Sequence, residues 1–298
     1  MHAPNVNPAM VGLTTIKQLF DYSKRCFLAF ENDFDAKVDS QSLLATVLDK
    51  PTSYLSTWPE KQLTEAQISL FGSFVKRRLT GEPVAFITGR REFWSLEFLV
   101  APCTLIPRPD TEILVETVLD NNPTEQLALL DLGTGTGAIA LALASEHKLW
   151  QIDAVEFNCD AVLLAQSNAR QLDLTHVAIY QSDWFNAIDK NKRFNVIVSN
   201  PPYIADDDKH LVEGDIRFEP KSALVASDEG YADIRHIIDT GRAFLSANGQ
   251  MYLEHGFEQG KRVQALFAEY GYQEIETIND FGGNPRITKA IYGTRNRP

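Results

Sequence analysis

Two short stretches carry the residue types that could act together on a ligand: DLGTGTG, from Asp131 to Gly137, and NPPY, from Asn200 to Tyr203. Closely spaced glycines after an apolar run let a ligand approach the backbone, and the open amides of a following helix can meet its polar groups. Gly133, Gly135 and Gly137 would form that loop, with Thr134 and Thr136 between them and Asp131 at its root. The next apolar run ends in AVEF and places Glu156 where a carboxylate can accept from both hydroxyls of a ribose. Dinucleotide enzymes space their glycines GxGxxG, whereas this loop reads GTGTG, and S-adenosylmethionine carries no pyrophosphate for a helix terminus to bind. An adenosyl cofactor is therefore favoured over NAD. In SDWF, Asp183 could accept from an adenine amino group while Trp184 or Phe185 covers the ring. Each segment alone also fits a plainer role: a tight turn that needs glycine, a solvated acid at a strand end, a polar turn before core aromatics.

The NPPY tetrad ends another apolar run, FNVIVS. Consecutive prolines cannot donate hydrogen bonds, so this loop exposes carbonyl oxygens, and the Asn200 side chain adds an acceptor. If the Asn200 oxygen takes one N–H of a substrate NH2 group and the Pro201 carbonyl the other, the nitrogen lone pair can be directed at a sulfonium methyl. Tyr203 could cover the planar group by stacking. The nitrogen of an amide or aromatic amine is a poor nucleophile. Acceptors aimed at its hydrogens stabilise the positive charge that develops during transfer, without a strong base. A rigid strand-end turn capped by Asn200 is the plainer alternative.

The elements that must position these residues follow from periodicity. Between about Thr14 and Thr80 apolar residues recur at helical spacing, as in Ile68, Phe71 and Val75, which predicts a small helical domain. After Gly81, PVAFITG and FWSLEFLV read as two β-rich runs around a charged turn at Arg90 to Glu92, hence a hairpin connector. Pro109 opens a predicted helix to Leu119, with Asp110 and Glu112 complementing its dipole. Beyond Leu127, predicted strands at 127–131, 151–156, 177–180, 194–199, 249–254, 273–278 and 287–292 alternate with helices at 138–146, 158–172, 230–246 and 257–270. This is the pattern of an α/β fold, a mostly parallel sheet with helices on both faces.

Composition limits the function classes. The 298 residues are long enough for one large domain and a smaller one, and the net charge of −12 gives no sign of a broad surface for nucleic-acid phosphates. Cys26, Cys103 and Cys159 lie far apart and lack CxxC spacing, so no metal site is expected and a reduced compartment fits. No apolar run approaches a membrane span, and Met1 to Met10 lacks the features of a signal peptide, so a soluble cytoplasmic protein is expected.

In this order the motifs resemble class I S-adenosylmethionine-dependent methyltransferases. Within them the chain is similar over nearly its whole length to the PrmC (HemK) family, the peptide chain release factor glutamine N5-methyltransferases. The matching stretches are GEPVAFITGRREFW, TLIPRPDTEILVE, DLGTGTGAIAL, QSDWF, SNPPYI, RFEPKSALVA, LEHGFEQG and DFGGNPRIT. The resemblance implies a Rossmann-like, mostly parallel seven-stranded sheet in residues 109–298. It also implies a helical substrate-recognition domain in 1–82 and a β-hairpin linker in 83–108. It implies methylation of the GGQ-motif glutamine of class 1 release factors, with S-adenosylhomocysteine as product; charge and hydropathy add the expectation of no direct nucleic-acid or membrane contact, and a monomer is expected. Carried over, the cofactor residues fall on Gly133 to Gly137, Glu156, Trp184 and Asn200, and the substrate-amide residues on Asn200, Pro201, Pro202 and Tyr203. One departure stands out: relatives more commonly carry Asp where this chain has Glu156. The block IPRPDTE separates the chain from the similar ribosomal-protein glutamine methyltransferases, which resemble PRSPIAEL there, and puts Arg108 and Glu112 near a substrate channel.

The rival readings are a nucleic-acid exocyclic-amine methyltransferase, a ribosomal-protein glutamine methyltransferase and a noncatalytic adenosyl-binding protein. His255 in LEHG is read as structural, because the chemistry needs no general base. Arg217 to Pro220 are read as a loop that either orders on substrate or simply packs, and Gly283 and Arg286 as residues that help shape the pocket.

Overall fold

The computed structural model describes residues 10, 12–29, 35–212 and 214–293. Residues 1–9, read above for a targeting segment, lie outside the described residues. The chain divides into two compact units, one running to Gly89 and including Lys209–Phe218, the other formed by Arg90–Asp208 and the chain from Glu219 onward.

The first unit holds α1 (Ile16–Leu28), α2 (Ala36–Leu48), α3 (Thr52–Thr57), α4 (Glu65–Leu79) and α5 (Val84–Thr88). Thr15 and Thr64 start α1 and α4 with capping boxes whose Gln18 and Gln67 reach back to the cap backbone, satisfying amides that lack helical partners. The apolar stripes meet in a core that includes Leu19, Phe27, Leu43, Phe71 and Val75, each such burial contributing about 1.5–3 kcal/mol. Arg78 is buried at its edge. Its Nε donates to Asp39 at 2.8 Å and its Nη1 to Asp215 at 3.1 Å on the returning segment.

Helix α5 departs from the sequence expectation, which made PVAFITG a strand. Pro83 stands at its N-cap and Gly89, left-handed at φ +72°, ends it. That punctuation outweighs the β-branched composition and turns Ala85, Phe86 and Ile87 inward. The hairpin begins later. It pairs β1 (Arg90–Phe93) with β2 (Leu96–Leu99) around Trp94 and Ser95, at φ +53° and +57°, the backbone a tight two-residue hairpin turn requires.

The second unit continues with α6 (Pro109–Asn121), β3 (Ala128–Leu132), α7 (Ala138–Glu146), β4 (Gln151–Glu156), α8 (Cys159–Gln171), β5 (Ala178–Gln181) and β6 (Phe194–Ser199). It closes with α9 (Ser227–Gly230), α10 (Ala232–Gly241), β7 (Leu245–Glu254), α11 (Gly260–Glu269), β8 (Gln273–Asn279) and β9 (Pro285–Tyr292). The predicted helix 230–246 ends at Gly241. Strand β7 begins at Leu245, before the predicted 249, because a register shift against β6 with Asn248 at φ +60° takes up the extra residues. The seven strands lie in the order β5-β4-β3-β6-β7-β9-β8, and β9 runs antiparallel to both neighbours while the pairs from β5 to β7 are parallel. Helices cover both faces, and the central strands β3 and β6 are buried on both sides, as a doubly covered sheet requires, while the edge strand β8 is largely exposed.

The topology reverses between β3 and β6, the place where open α/β sheets bind ligands. Register then decides which residues meet. Leu132 pairs with Val155 and with Ser199, and Ser199 pairs with Leu253. One residue further along each strand therefore sets Gly133, Glu156, Asn200 and Glu254 in one row at the carboxyl edge. Among the described residues no helix is long and apolar enough to cross a membrane.

Candidate active site

A cavity of about 290 Å³ opens at this edge, lined among others by Gly133, Thr134, Gly135, Thr136, Glu156, Asp183, Trp184, Asn200 and Pro202. The glycine loop is shaped by backbone conformations that side chains resist: Gly133, Gly135 and Gly137 have φ of +69°, +55° and +85°. The Gly133 and Thr134 amides donate to the Val155 carbonyl at 2.9 and 3.0 Å, pinning the loop to β4. The Glu156 carboxylate takes the Gly135 amide on Oε2 and the Asn158 amide on Oε1, both at 3.0 Å. A carboxylate oxygen has two acceptor directions, so Glu156 is held in place and still equipped to accept two hydroxyls.

Beyond β5, Ser182 organises the turn. Its hydroxyl donates to the Trp184 carbonyl at 2.7 Å and accepts the Ala187 amide at 3.0 Å. Trp184 sits at φ +46° with its ring over Gly133, where an added Cβ would stand 3.6 Å from it. Its indole faces Asp233, whose carboxyl is raised by burial against the pull of His236 and of the indole N–H. Asp183 lines the cavity and accepts from the Asn186 amide at 3.1 Å.

Asn200 stands at the opposite wall. Its Nδ2 donates to Thr111 Oγ1 at 3.3 Å, and Thr111 donates to Glu254 Oε2 at 2.7 Å. Glu254 also faces Asn200, and burial pushes its carboxyl up to about 7, opposed by the Thr111 bond and Arg286. Arg286 faces Tyr203, whose phenol is raised by burial, and pairs with Asp280 at 3.1 Å and Asp110 at 3.4 Å. Arg108 lines the cavity and donates to Glu219 at 2.7 Å, while Glu219 takes the Ile106 amide at 3.0 Å. The loop after NPPY is thereby tied to the segment before α6.

Other expected residues lie elsewhere. Pro201 is buried and Tyr203 packs against the core, and neither lines the cavity. Asp131 lies beneath the loop, accepting from Thr134 Oγ1 at 2.6 Å, with its carboxyl pushed by burial up to about 7. Gly137 caps α7, where a Cβ would meet Leu141 at 2.9 Å. Glu112 accepts the Trp94 amide at 2.8 Å and supports the hairpin, away from the cavity lining. His255 is fully buried, with its ring nitrogens against the Gly256 carbonyl and Thr288 hydroxyl, and burial lowers its pKa. It is structural, as read from the sequence.

Sequence reasoning missed Thr111, Glu254, Asp233 and Asn168. The Asn168 amide takes the Leu99 amide on its oxygen at 2.7 Å and donates to the Leu99 and Thr136 carbonyls at 3.0 and 2.9 Å, joining hairpin to glycine loop. Its place, mid-helix on an otherwise apolar face, was the available signal.

The chain matches the family model of the methyltransferase small domain over residues 109–218 and that of the PrmC N-terminal domain over 25–89. It is 56% identical to the release factor glutamine methyltransferase of Shewanella oneidensis, covering 85% of this chain and 88% of the relative. The corresponding protein of Escherichia coli is 50% identical over 85% of this chain and 91% of its own length. A methyltransferase structure from Pyrococcus furiosus, 16% identical, shares the fold with a TM-score of 0.52, covering 73% of this chain and 97% of that one. At such identity over such coverage, the chain belongs to the release factor glutamine methyltransferase family.

Proposed function

We propose that the protein transfers the methyl group of S-adenosylmethionine to the side-chain amide N5 of the GGQ glutamine in class 1 peptide chain release factors. The observation that carries this reading is the single cavity in which the glycine loop, Glu156 and the Asn200–Pro202 turn meet. The donor set fits an adenosyl ligand: a tethered carboxylate with acceptor directions to spare, a half-buried indole and an acid one turn away. When bound, S-adenosylmethionine supplies an activated methyl on a sulfonium sulfur and leaves as S-adenosylhomocysteine.

The chain's own residues do the rest. Glu156 accepts the ribose hydroxyls, Gly133 to Thr136 line the amino-acid side, and Asp183 and Trp184 hold the adenine. Asp131 and Gly137 support that loop from below and behind. Asn200 accepts one N–H group of the substrate amide at the cavity wall, carbonyl oxygens of the turn that Pro202 shapes accept the other, and Pro201 and Tyr203 brace that turn. These acceptors stabilise the charge that appears on nitrogen as the N–C bond forms; the nitrogen then gives up one proton to water. The helical domain of residues 1–82 recognises the release factor, with the hairpin region 83–108 as linker, and the protein works as a monomer in the cytoplasm.

The test is incubation of the purified protein with unmodified class 1 release factor and S-adenosylmethionine, followed by peptide mass spectrometry across the GGQ segment. One added methyl on that glutamine is expected. Unmodified glutamine with bound cofactor and folded release factor would reject the substrate.

A further inference from the structure

We propose that Glu254, acting through Thr111, is a positioning residue that fixes the Asn200 amide with its oxygen toward the cavity. The inference rests on the methyl transfer to a glutamine amide proposed above. A primary amide has two nearly isosteric orientations, and only one presents an acceptor to a substrate N–H. Here hydrogen-bond direction makes the choice. Thr111 has one hydroxyl proton and gives it to Glu254 Oε2 at 2.7 Å. What it turns toward Asn200, 3.3 Å away, is therefore a lone pair, which can only receive from Nδ2. The Glu254 carboxylate also favours the N–H side of the Asn200 amide electrostatically.

In its ionised form the Glu254 carboxylate only accepts, and so sorts the amide beside it: nitrogen inward, oxygen toward the cavity that Asn200 lines. Reversal would set the Asn200 oxygen against a carboxylate and a committed hydroxyl, leaving buried acceptors without donors. Both supports are buried, Glu254 at 2% and Thr111 at 5% exposure, so water is poorly placed to replace them. The sheet register holds the pair rigidly, since Asn200 and Glu254 directly follow the paired residues Ser199 and Leu253. Arg286, facing both Glu254 and Tyr203, balances the charge from β9.

The test compares Glu254→Gln, Thr111→Val and Thr111→Ser in the full chain, following methyl transfer to release factor, cofactor affinity by calorimetry and folding by thermal melting. Glu254→Gln and Thr111→Val are expected to lower kcat about 10–100-fold, the worth of a misdirected buried hydrogen bond. Cofactor Kd stays near the wild-type value. Thr111→Ser, which keeps the hydroxyl, recovers most of the rate. Adding Glu254→Gln to Asn200→Ala costs little more, because the carboxylate acts through that amide. Wild-type kcat in both Glu254→Gln and Thr111→Val, or full additivity with Asn200→Ala, overturns the proposal.

The side-chain 15N resonances of Asn200 report orientation without any substrate. In the wild type the amide protons exchange slowly, and in Thr111→Val they exchange faster. If release factor is never methylated while this difference holds, the substrate reading fails and the positioning role stands. If exchange is indifferent to Thr111 and Glu254, the positioning role fails whatever the substrate.

Discussion

The two walls of the cavity hold their polar residues by different means. At the β4 side Glu156 is fixed by two backbone amides, one from the glycine loop and one two residues further along the chain. At the β6 side Asn200 is fixed by side chains, from Thr111 on α6 and Glu254 on β7, elements 89 and 54 residues away in the chain. Every residue but proline carries a backbone amide, so the first arrangement needs only a loop of the right shape. The second needs three particular side chains brought together by the sheet. On the proposed function the first wall therefore binds and tolerates neighbouring substitutions, while the second aims one group.

That contrast is broken most directly at the aiming wall. Asn200→Ala is expected to reduce kcat by about 10²–10³-fold, the usual loss when one preorganised partner of developing charge is removed. Cofactor affinity should change by much less, and mass spectrometry of the GGQ peptide with calorimetry on the same preparation checks both. At the binding wall Glu156→Ala should weaken cofactor binding about 10–100-fold through lost charge-assisted hydrogen bonds, with kcat near wild type once cofactor saturates. If the first variant loses mainly affinity and the second mainly rate, the walls have been assigned the wrong way round.

The same contrast governs what could be read in the sequence. Gly133 to Gly137, Glu156 and the NPPY turn are local signals, each sitting at the end of an apolar run, and the strands that carry them fell within a few residues of their predicted places. Thr111 and Glu254 gave no such signal. A threonine in the first turn of a helix and a glutamate before a histidine are ordinary until the register of β6 on β7 sets them beside Asn200. The hairpin starts later than composition predicts for a related reason: Val84, Phe86, Ile87 and Thr88 favour strands by composition, but Pro83 and Gly89 at their boundaries make them a helix. Pro201 and Tyr203 belong to the right motif but alternate with the lining residues Asn200 and Pro202, while Asp131 lies beneath the glycine loop and Gly137 serves as the N-cap of α7.

Asn168 sharpens the comparison, since it serves the binding wall by side-chain means. Its amide is fully buried and makes three bonds, two to Leu99 and one to Thr136. Asn168→Ala leaves those backbone groups unpaired and should destabilise the protein by about 2–3 kcal/mol, read from urea unfolding. A loss below about 0.5 kcal/mol would place it among ordinary surface changes and remove the hairpin from the support of the glycine loop.

Each wall also rests on a buried acid, Asp131 under the glycine loop and Glu254 under Asn200, and each carboxyl is pushed up to about 7, first of all by burial. In the unfolded chain both titrate near the ordinary carboxylate values, so between roughly pH 4 and 7 the folded state binds more protons than the unfolded one. Stability contributed by each group is therefore present at low pH and declines as pH rises through that window, levelling above it. Asp131→Asn removes one of the two slopes while keeping a group that Thr134 Oγ1 can still donate to. Between pH 5 and 7.5 the wild type should lose about 2 kcal/mol relative to this variant, measured by urea unfolding at the two pH values. A difference that grows in the wild type's favour as pH rises would mean that Asp131 folds as a charged group. The Thr134 and backbone hydrogen bonds to Asp131 would then outweigh its burial, and the two walls would differ in their foundations as well as in their polar partners.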